Sequence, residues 1–196
     1  MPDHPHTACW FYERFDMNIR KIHHVAYRCK NAKETALWYQ KYLDMDLVLS
    51  IAENEVPSTK APDPYMHIFL NAGSGNILAF FEIPSLDEMG RDPNTPDWVQ
   101  HLAFEVDTMD DLLGAKARLE ADGIDVVGVT DHAIFQSIYF YDPNGHRLEL
   151  AVNTDTPLMM QKLDEVKWDM IEEWDKTKKA PEHARWMHDG SYADLK

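Results

Sequence analysis

The sequence predicts an α+β protein made of two tandem βαβββ modules followed by a helical extension. Three observations carry this prediction. The segment His23–Leu37 aligns with Gln100–Leu113, so that His24-Val-Ala-Tyr-Arg-Cys matches His101-Leu-Ala-Phe-Glu-Val. In both copies the apolar spacing changes from that of a strand to that of a helix and then back to strands. Beyond residue 153 the spacing is helical only. The implied organisation is an N-terminal extension over 1–19, a first module over 20–85, a linker or lid loop over 86–98, a second module over 99–153 and a C-terminal helical extension over 154–196.

Each element has a local cause. After the first strand, Asn31 with Glu34 three residues on makes an N-cap and capping box, and Ala32, Ala36, Tyr39 and Leu43 repeat at helical spacing. In the second copy Thr108 and Asp111 start the helix, Leu112, Ala115 and Leu119 form its stripe, and Gly123 suits the left-handed residue that ends it. Strand patterns follow at Asp46–Ile51, Tyr65–Asn71 and Asn76–Ile83, with a turn at Asn71–Gly75, and again at Val126–Val129, Phe135–Tyr141 and His146–Val152. Asp142-Pro-Asn-Gly145 has proline and glycine where a type I turn wants them. Met159, Leu163, Val166, Met170 and Trp174 predict an amphipathic helix within 155–179, whose apolar stripe covers either its own domain or a second subunit. Pro57–Pro64 and Pro84–Trp98 read as loops long enough to serve as lids.

Composition narrows the class of function. The chain has 196 residues and a formal charge of −15, from 34 acidic against 19 basic residues. Nucleic acid and anionic membrane are therefore poor partners, since neutralising phosphate needs clustered Lys and Arg. No run of about 18 apolar residues predicts a membrane span. Cys9 and Cys29 have no C-x-x-C spacing, and a chain of this length buries roughly 70 % of its unfolded surface without disulfide support. The N-terminus lacks a basic segment leading into an apolar run, so a soluble cytoplasmic protein is expected.

Most of the ten histidines read as ordinary. His4, His6, His183 and His188 lie in terminal segments, His23 faces away from His24 on a strand, and His146 beside its turn reads as solvent-facing. His24 and His101 stand apart because the repeat puts them at equivalent points, which converge if the modules pack about a pseudo-twofold axis. Glu149, between Leu148 and Leu150, is a carboxylate in an apolar strand, costly unless paired or metal-bound, and Arg147 is the cation sharing its face. Two imidazoles and one carboxylate are the ligand set of non-haem Fe(II) enzymes that activate oxygen, and three protein ligands leave room for a bidentate substrate and O₂. Zinc remains open on ligand type alone.

The doubled βαβββ pattern with His in the first strand and Glu in the last resembles the vicinal oxygen chelate superfamily, which includes glyoxalase I, methylmalonyl-CoA epimerase, antibiotic-resistance proteins and type I extradiol ring-cleaving dioxygenases. A longer motif is similar to that of the extradiol enzymes at every specified position: Thr130-Asp-His132, five residues, Ile138-Tyr139, two residues, Asp142-Pro143-Asn-Gly145, three residues, Glu149. The resemblance covers residues 20–153 and is closest to one-domain members. It implies a cupped mixed sheet around a metal site, Fe(II) held by His24, His101 and Glu149 (with Mn(II), Zn(II) or Ni(II) as alternatives), and cleavage of a small aromatic diol by O₂ to a ring-opened semialdehyde. It also implies that His132 hydrogen-bonds near the substrate and that Tyr139 hydrogen-bonds to substrate or an oxygen intermediate; the paired modules and the extra helix predict a homo-oligomer.

Two positions qualify what the resemblance implies. Glyoxalase I and the epimerases carry a fourth ligand on the last strand of the first module, where aligning Leu78-Ala-Phe-Phe puts Phe80, which favours three ligands, while a shifted register would make Glu82, two residues on and on the same face, the fourth. Larger extradiol enzymes carry a histidine acid–base group where this chain has Asn76. An amide hydrogen-bonds but moves no proton near neutral pH, which leaves that work to His67 or His132, or points to a different reaction. The alternatives on this scaffold are a metal-dependent lyase or isomerase, and a non-catalytic protein that binds an aromatic ligand. Phe80-Phe81 and Tyr139-Phe140-Tyr141 could supply an aryl pocket, with Phe81 and Phe140 assigned to the core.

Overall fold

The computed structural model describes residues 19–56, 58–87, 89–90 and 92–195. His4, His6, Cys9 and nearly all of the 1–19 extension lie outside them. The described chain is α+β, with two βαβββ units and a C-terminal helix. The first unit comprises β1 (Val25–Arg28), α1 (Ala32–Leu43), β2 (Leu47–Glu55), β3 (Pro62–Asn71) and β4 (Ile77–Glu82). The second comprises β5 (Leu102–Glu105), α2 (Met109–Ala121), β6 (Val127–Asp131), β7 (Phe135–Tyr141) and β8 (Arg147–Asn153). Helix α3 runs from Pro157 to Thr177, followed by short 3₁₀ turns at Arg185–Met187 and Ser191–Leu195.

The two units make separate four-stranded mixed sheets, ordered β1-β4-β3-β2 and β5-β8-β7-β6. In each, the first and last strands pair in parallel and the rest antiparallel. The capping residues act as the sequence suggests. Asn31 accepts from the Glu34 amide, and Thr108 with Asp111 forms a reciprocal capping box. Leu112, Ala115 and Leu119 are the buried face of α2, and Ala32, Thr35 and Tyr39 that of α1. Together with Ile68, Leu78, Phe80, Ile138, Phe140 and Leu148, they build one core shared by both units.

Strand register decides what faces the helices and what faces away. Because Ala26 pairs with Ala79 and Ala103 with Glu149, the counterpart of Glu149 in the first unit is Ala79, not Phe80. Phe80 belongs to the helix-side core, and Phe81, assigned to the core from sequence, lies on the opposite face against His67. A shift of one residue exchanges the faces of a strand, so the observed pairing with β1 puts every side chain of β4 on the face opposite to that expected. Glu82 shares the helix side with Phe80, where its Oε2 accepts from the Ala32 amide at 2.6 Å and so caps α1.

Two further expectations change. β3 begins at Pro62 and pairs back to Glu55, so the described residues 58–64 of the segment read as a lid, which leaves out Pro57, form the end of a hairpin. His146 is half-buried: its Nε2 lies 2.8 Å from the Arg28 carbonyl, and its ring packs on Tyr27 and Phe80. Asp142 and Asn144 of the 142–145 turn are buried between the units. Asp142 accepts from Tyr39 Oη at 3.1 Å, and Asn144 bonds to Thr35 Oγ1 at 3.1 Å and to the Lys30 amide at 2.8 Å. Helix α3 buries Met159, leaves Leu163, Val166 and Met170 half-covered, and exposes Trp168, Ile171 and Trp174. No helix among the described residues is long and apolar enough to cross a membrane.

Candidate metal centre

The sheet faces turned away from the helices carry the candidate residues. Alternation along β8 puts Arg147 and Glu149 on this face, and antiparallel pairing sets Tyr141 and Tyr139 opposite them. Glu149 is 3 % exposed, so its carboxylate must be satisfied by protein groups or a cation. Tyr139 Oη donates to Glu149 Oε1 at 3.1 Å, and Ser137 Oγ donates to the same oxygen. Behind Tyr139, His132 Nε2 stands 2.9 Å from the phenol oxygen, with its ring stacked on Phe135. Burial, with Glu149 alongside, pushes the Tyr139 phenol above its ordinary range, so at neutral pH it remains a donor.

His101 supplies the other half of this cluster. Its Nε2 is 2.9 Å from Glu149 Oε2, and its Nδ1 is 3.1 Å from the Val99 carbonyl. With Nδ1–H donated to that carbonyl, a neutral imidazole turns its Nε2 lone pair towards a carboxylate oxygen. Two electron-rich atoms so close need a cation between or upon them, either a proton on the ring or a metal ion. This donor chemistry fits a divalent metal. Ser137 was missed from sequence, although its alternation with Tyr139 and Tyr141 on β7 gave the signal.

His24 lies elsewhere. It precedes β1 on the equivalent face of the first sheet, exposed, with His23 Nδ1 2.7 Å from its own Nδ1 and the rings of His67 and Phe69 nearby. His67 stacks on Phe81 with ring centroids 3.6 Å apart, and its Nε2 is buried without a hydrogen-bond partner. Burial, and then His24, lower the pKa of His67. Asn76 closes the β3–β4 turn at the His24 end of this sheet, with its amide donating to Gly73 O at 2.8 Å. The structure thus brings together His101, Glu149, Tyr139 and His132, and holds His24 and Asn76 on the other unit. Among the described residues no group of three or more His, Cys, Asp or Glu stands close enough together to hold a metal.

A cleft of about 680 Å³ opens beside His101. Tyr27 and Lys30 line it from the first unit, Tyr141, His146 and Arg147 from the second, and Gly90, Asp92, Thr95 and Val99 cover one side.

Comparison with known proteins agrees with this architecture. Residues 21–150 match the model of the Glyoxalase/Bleomycin resistance protein/Dioxygenase superfamily. The chain is 24 % identical over 99 residues to a protein named putative ring-cleaving dioxygenase MhqA, from Bacillus subtilis, over 50 % of this chain and 31 % of that one. It is 35 % identical over 60 residues to biphenyl-2,3-diol 1,2-dioxygenase 2 of Rhodococcus globerulus, over 30 % of this chain and 32 % of the relative. The matched stretch is thus about a third of the length of each curated relative. A glyoxalase family protein from Enterococcus faecalis superposes with a TM-score of 0.50 at 26 % identity, covering 69 % of this chain and 99 % of that one. The glyoxalase I of Leishmania major does so with a TM-score of 0.52 at 18 % identity, covering 79 % and 98 %. The chain belongs to the Glyoxalase/Bleomycin resistance protein/Dioxygenase superfamily.

Proposed function

We propose that this protein is an Fe(II)-dependent extradiol dioxygenase, holding its metal with His24, His101 and Glu149 and opening the ring of a small aromatic diol with both atoms of O₂. The observation that carries the reading is the His101 Nε2–Glu149 Oε2 donor pair at 2.9 Å, backed by the Tyr139–His132 chain. Ala79 opposite Glu149 in the pseudo-symmetry supplies no donor atom, which favours three protein ligands over the four of a glyoxalase-type lyase or isomerase. The names of the two dioxygenase relatives point the same way.

His24, His101 and Glu149 would hold the ion, and Fe(II) there would supply the positive charge that acidifies a diol and the redox chemistry that activates O₂. The chain's own residues do the rest. Tyr139 donates a hydrogen bond where negative charge develops on oxygen, and His132 behind it returns the proton. His67, Phe69 and Phe81 form an aromatic wall on the opposite sheet, suited to stacking on a planar substrate. Asn76, at the end of that wall, serves as a hydrogen-bond donor rather than an acid or base.

The ligands sit on two units of one chain, and we infer that a second copy unites them, with His24 of one protomer meeting His101 and Glu149 of its partner. Two features support this. His24 is exposed, and so are Leu49 and Ile51, which pair with Phe69 and His67 on the same sheet face. An open apolar sheet face beside half a ligand set is what a shared, closed interface would cover.

The test is oxygen consumption. After anaerobic purification and loading with Fe(II), the protein should take up O₂ with at least one member of a catechol panel and release a yellow ring-opened product. Iron-loaded protein that consumes no O₂ with any diol contradicts the reading.

A further inference from the structure

We propose that Arg147 selects the substrate by binding a carboxylate carried on the aromatic diol; this rests on the reading of the site as a diol-cleaving centre. Arg147 lies two residues before Glu149 on one face of β8, and its guanidinium carbon stands 4.5 Å from the centroid of the Tyr139 ring. The phenol of that tyrosine donates to Glu149, so one tyrosine touches both the cation and the proposed metal ligand.

Among the described residues its donors are nearly all uncommitted. A guanidinium offers five N–H groups in a rigid fork. Nη1 makes one long contact, 3.4 Å to the Asp97 carbonyl, and Nε is buried with no partner. No Asp or Glu among the described residues lies within ion-pairing distance of it. Holding a half-buried arginine this way is costly unless something else satisfies it, because unmade hydrogen bonds of a desolvated charged group exceed those of a neutral one.

The surroundings indicate what satisfies it. Arg147 and His101 line the same 680 Å³ cleft, a size suited to a small organic molecule. Lys30 adds a second positive charge to the wall, within a chain of net charge −15 that otherwise repels anions. Two acidic residues also line the cleft, Asp92 and Asp97. The Asp92 carboxylate is engaged by Thr95 Oγ1 at 2.6 Å and the Asn94 amide at 2.9 Å, and Asp97 turns its main-chain carbonyl to Arg147. A planar, partly desolvated fork matches a carboxylate through two parallel N–H···O bonds. The aromatic diol taken by this site therefore carries a short acidic arm, with its hydroxyls at the metal end and its carboxylate at Arg147.

Equilibrium binding of 3,4-dihydroxyphenylacetate and of its neutral amide, measured anaerobically on the Fe(II)-loaded full chain by calorimetry, tests this. The wild type should bind the acid about tenfold more tightly than the amide or better, the increment of a charge-assisted hydrogen bond. Arg147→Gln should lose that preference while binding the amide as before, and Arg147→Lys should keep part of it. Equal binding of acid and amide by the wild type, with both consumed alongside O₂, overturns the role of Arg147 and leaves the dioxygenase reading standing. Arg147→Gln weakening both ligands alike overturns it too, because that is what a merely structural arginine would do. Failure of both compounds to bind the wild type removes the diol site itself, and the inference with it.

Discussion

The two sheets are built on one plan, and their open faces differ residue for residue. Where the second unit has Ser137, Tyr139 and Glu149, the first has His67, Phe69 and Ala79 at the matching register positions. One face is a network of hydroxyls and a carboxylate, and the other is an aromatic wall with one imidazole at its edge. Backbone geometry sets the positions equally in both, so chemistry was specialised by side chains alone. On the proposed reading the second unit would hold the cation and move a proton, and the first would stack on a planar ring.

The largest expected effect removes the asymmetry at its centre. Glu149→Gln keeps the shape and loses the charge, and iron affinity should fall about 100-fold or more, read by metal analysis after dialysis. Retention of full iron occupancy would show that this carboxylate is no ligand.

The turns before β4 and β8 offer a second contrast. The second-unit turn buries Asp142 at 5 % exposure, accepting from Tyr39, from the Asn144 side chain and from the amides of Asn144 and His146. In the first-unit turn Asn71 is exposed and accepts from the Gly73 amide. Asp142→Ala strands several buried donors and should cost ~3 kcal/mol or more in urea unfolding, while Asn71→Ala should cost well under half of that. Equal losses would mean that the buried turn does not tie the units together.

Tyr139→Phe converts a second-unit residue to its first-unit counterpart. The expected result is a fall in kcat of roughly 100-fold with KM little changed, since the hydroxyl acts where charge develops. Phe69→Leu should do the reverse and raise KM. Steady-state O₂ uptake separates the two.

The smallest effect concerns Cys29, whose counterpart is Val106. Burial pushes the Cys29 thiol up to about 11, against 9.0 ordinarily. Above pH 9 the unfolded chain releases this proton while the folded chain keeps it, so folding stability should decline between about pH 9 and 11. Cys29→Val should flatten that part of a pH-resolved unfolding series.

Much of this was legible in the chain. The duplicated His24 and His101 segments, the caps at Asn31 and Thr108 and the α2 stripe are local signals, fixed by neighbours within a few residues. His101 and Glu149 were marked by the repeat and by a carboxylate in an apolar strand, and Tyr139 and His132 by the resemblance of the 130–149 motif, whereas the separation of His24 from them depends on how the two units pack. What escaped depended on register or on long-range packing. Phe81 and Glu82 were assigned to the wrong faces of β4 because pairing with β1 is decided by partners some 50 residues away. His146 seemed solvent-facing because nothing nearby in sequence tells of the Arg28 carbonyl that engages it.

Mixing two inactive variants tests the central claim most directly. His24→Ala and His101→Ala should each abolish O₂ uptake alone. If the site is shared between copies, co-expression restores one intact set of ligands in every mixed dimer, and activity should recover to roughly a quarter of wild type. Two singly dead proteins that stay dead when co-assembled, with mixed dimers present, would contradict the shared site.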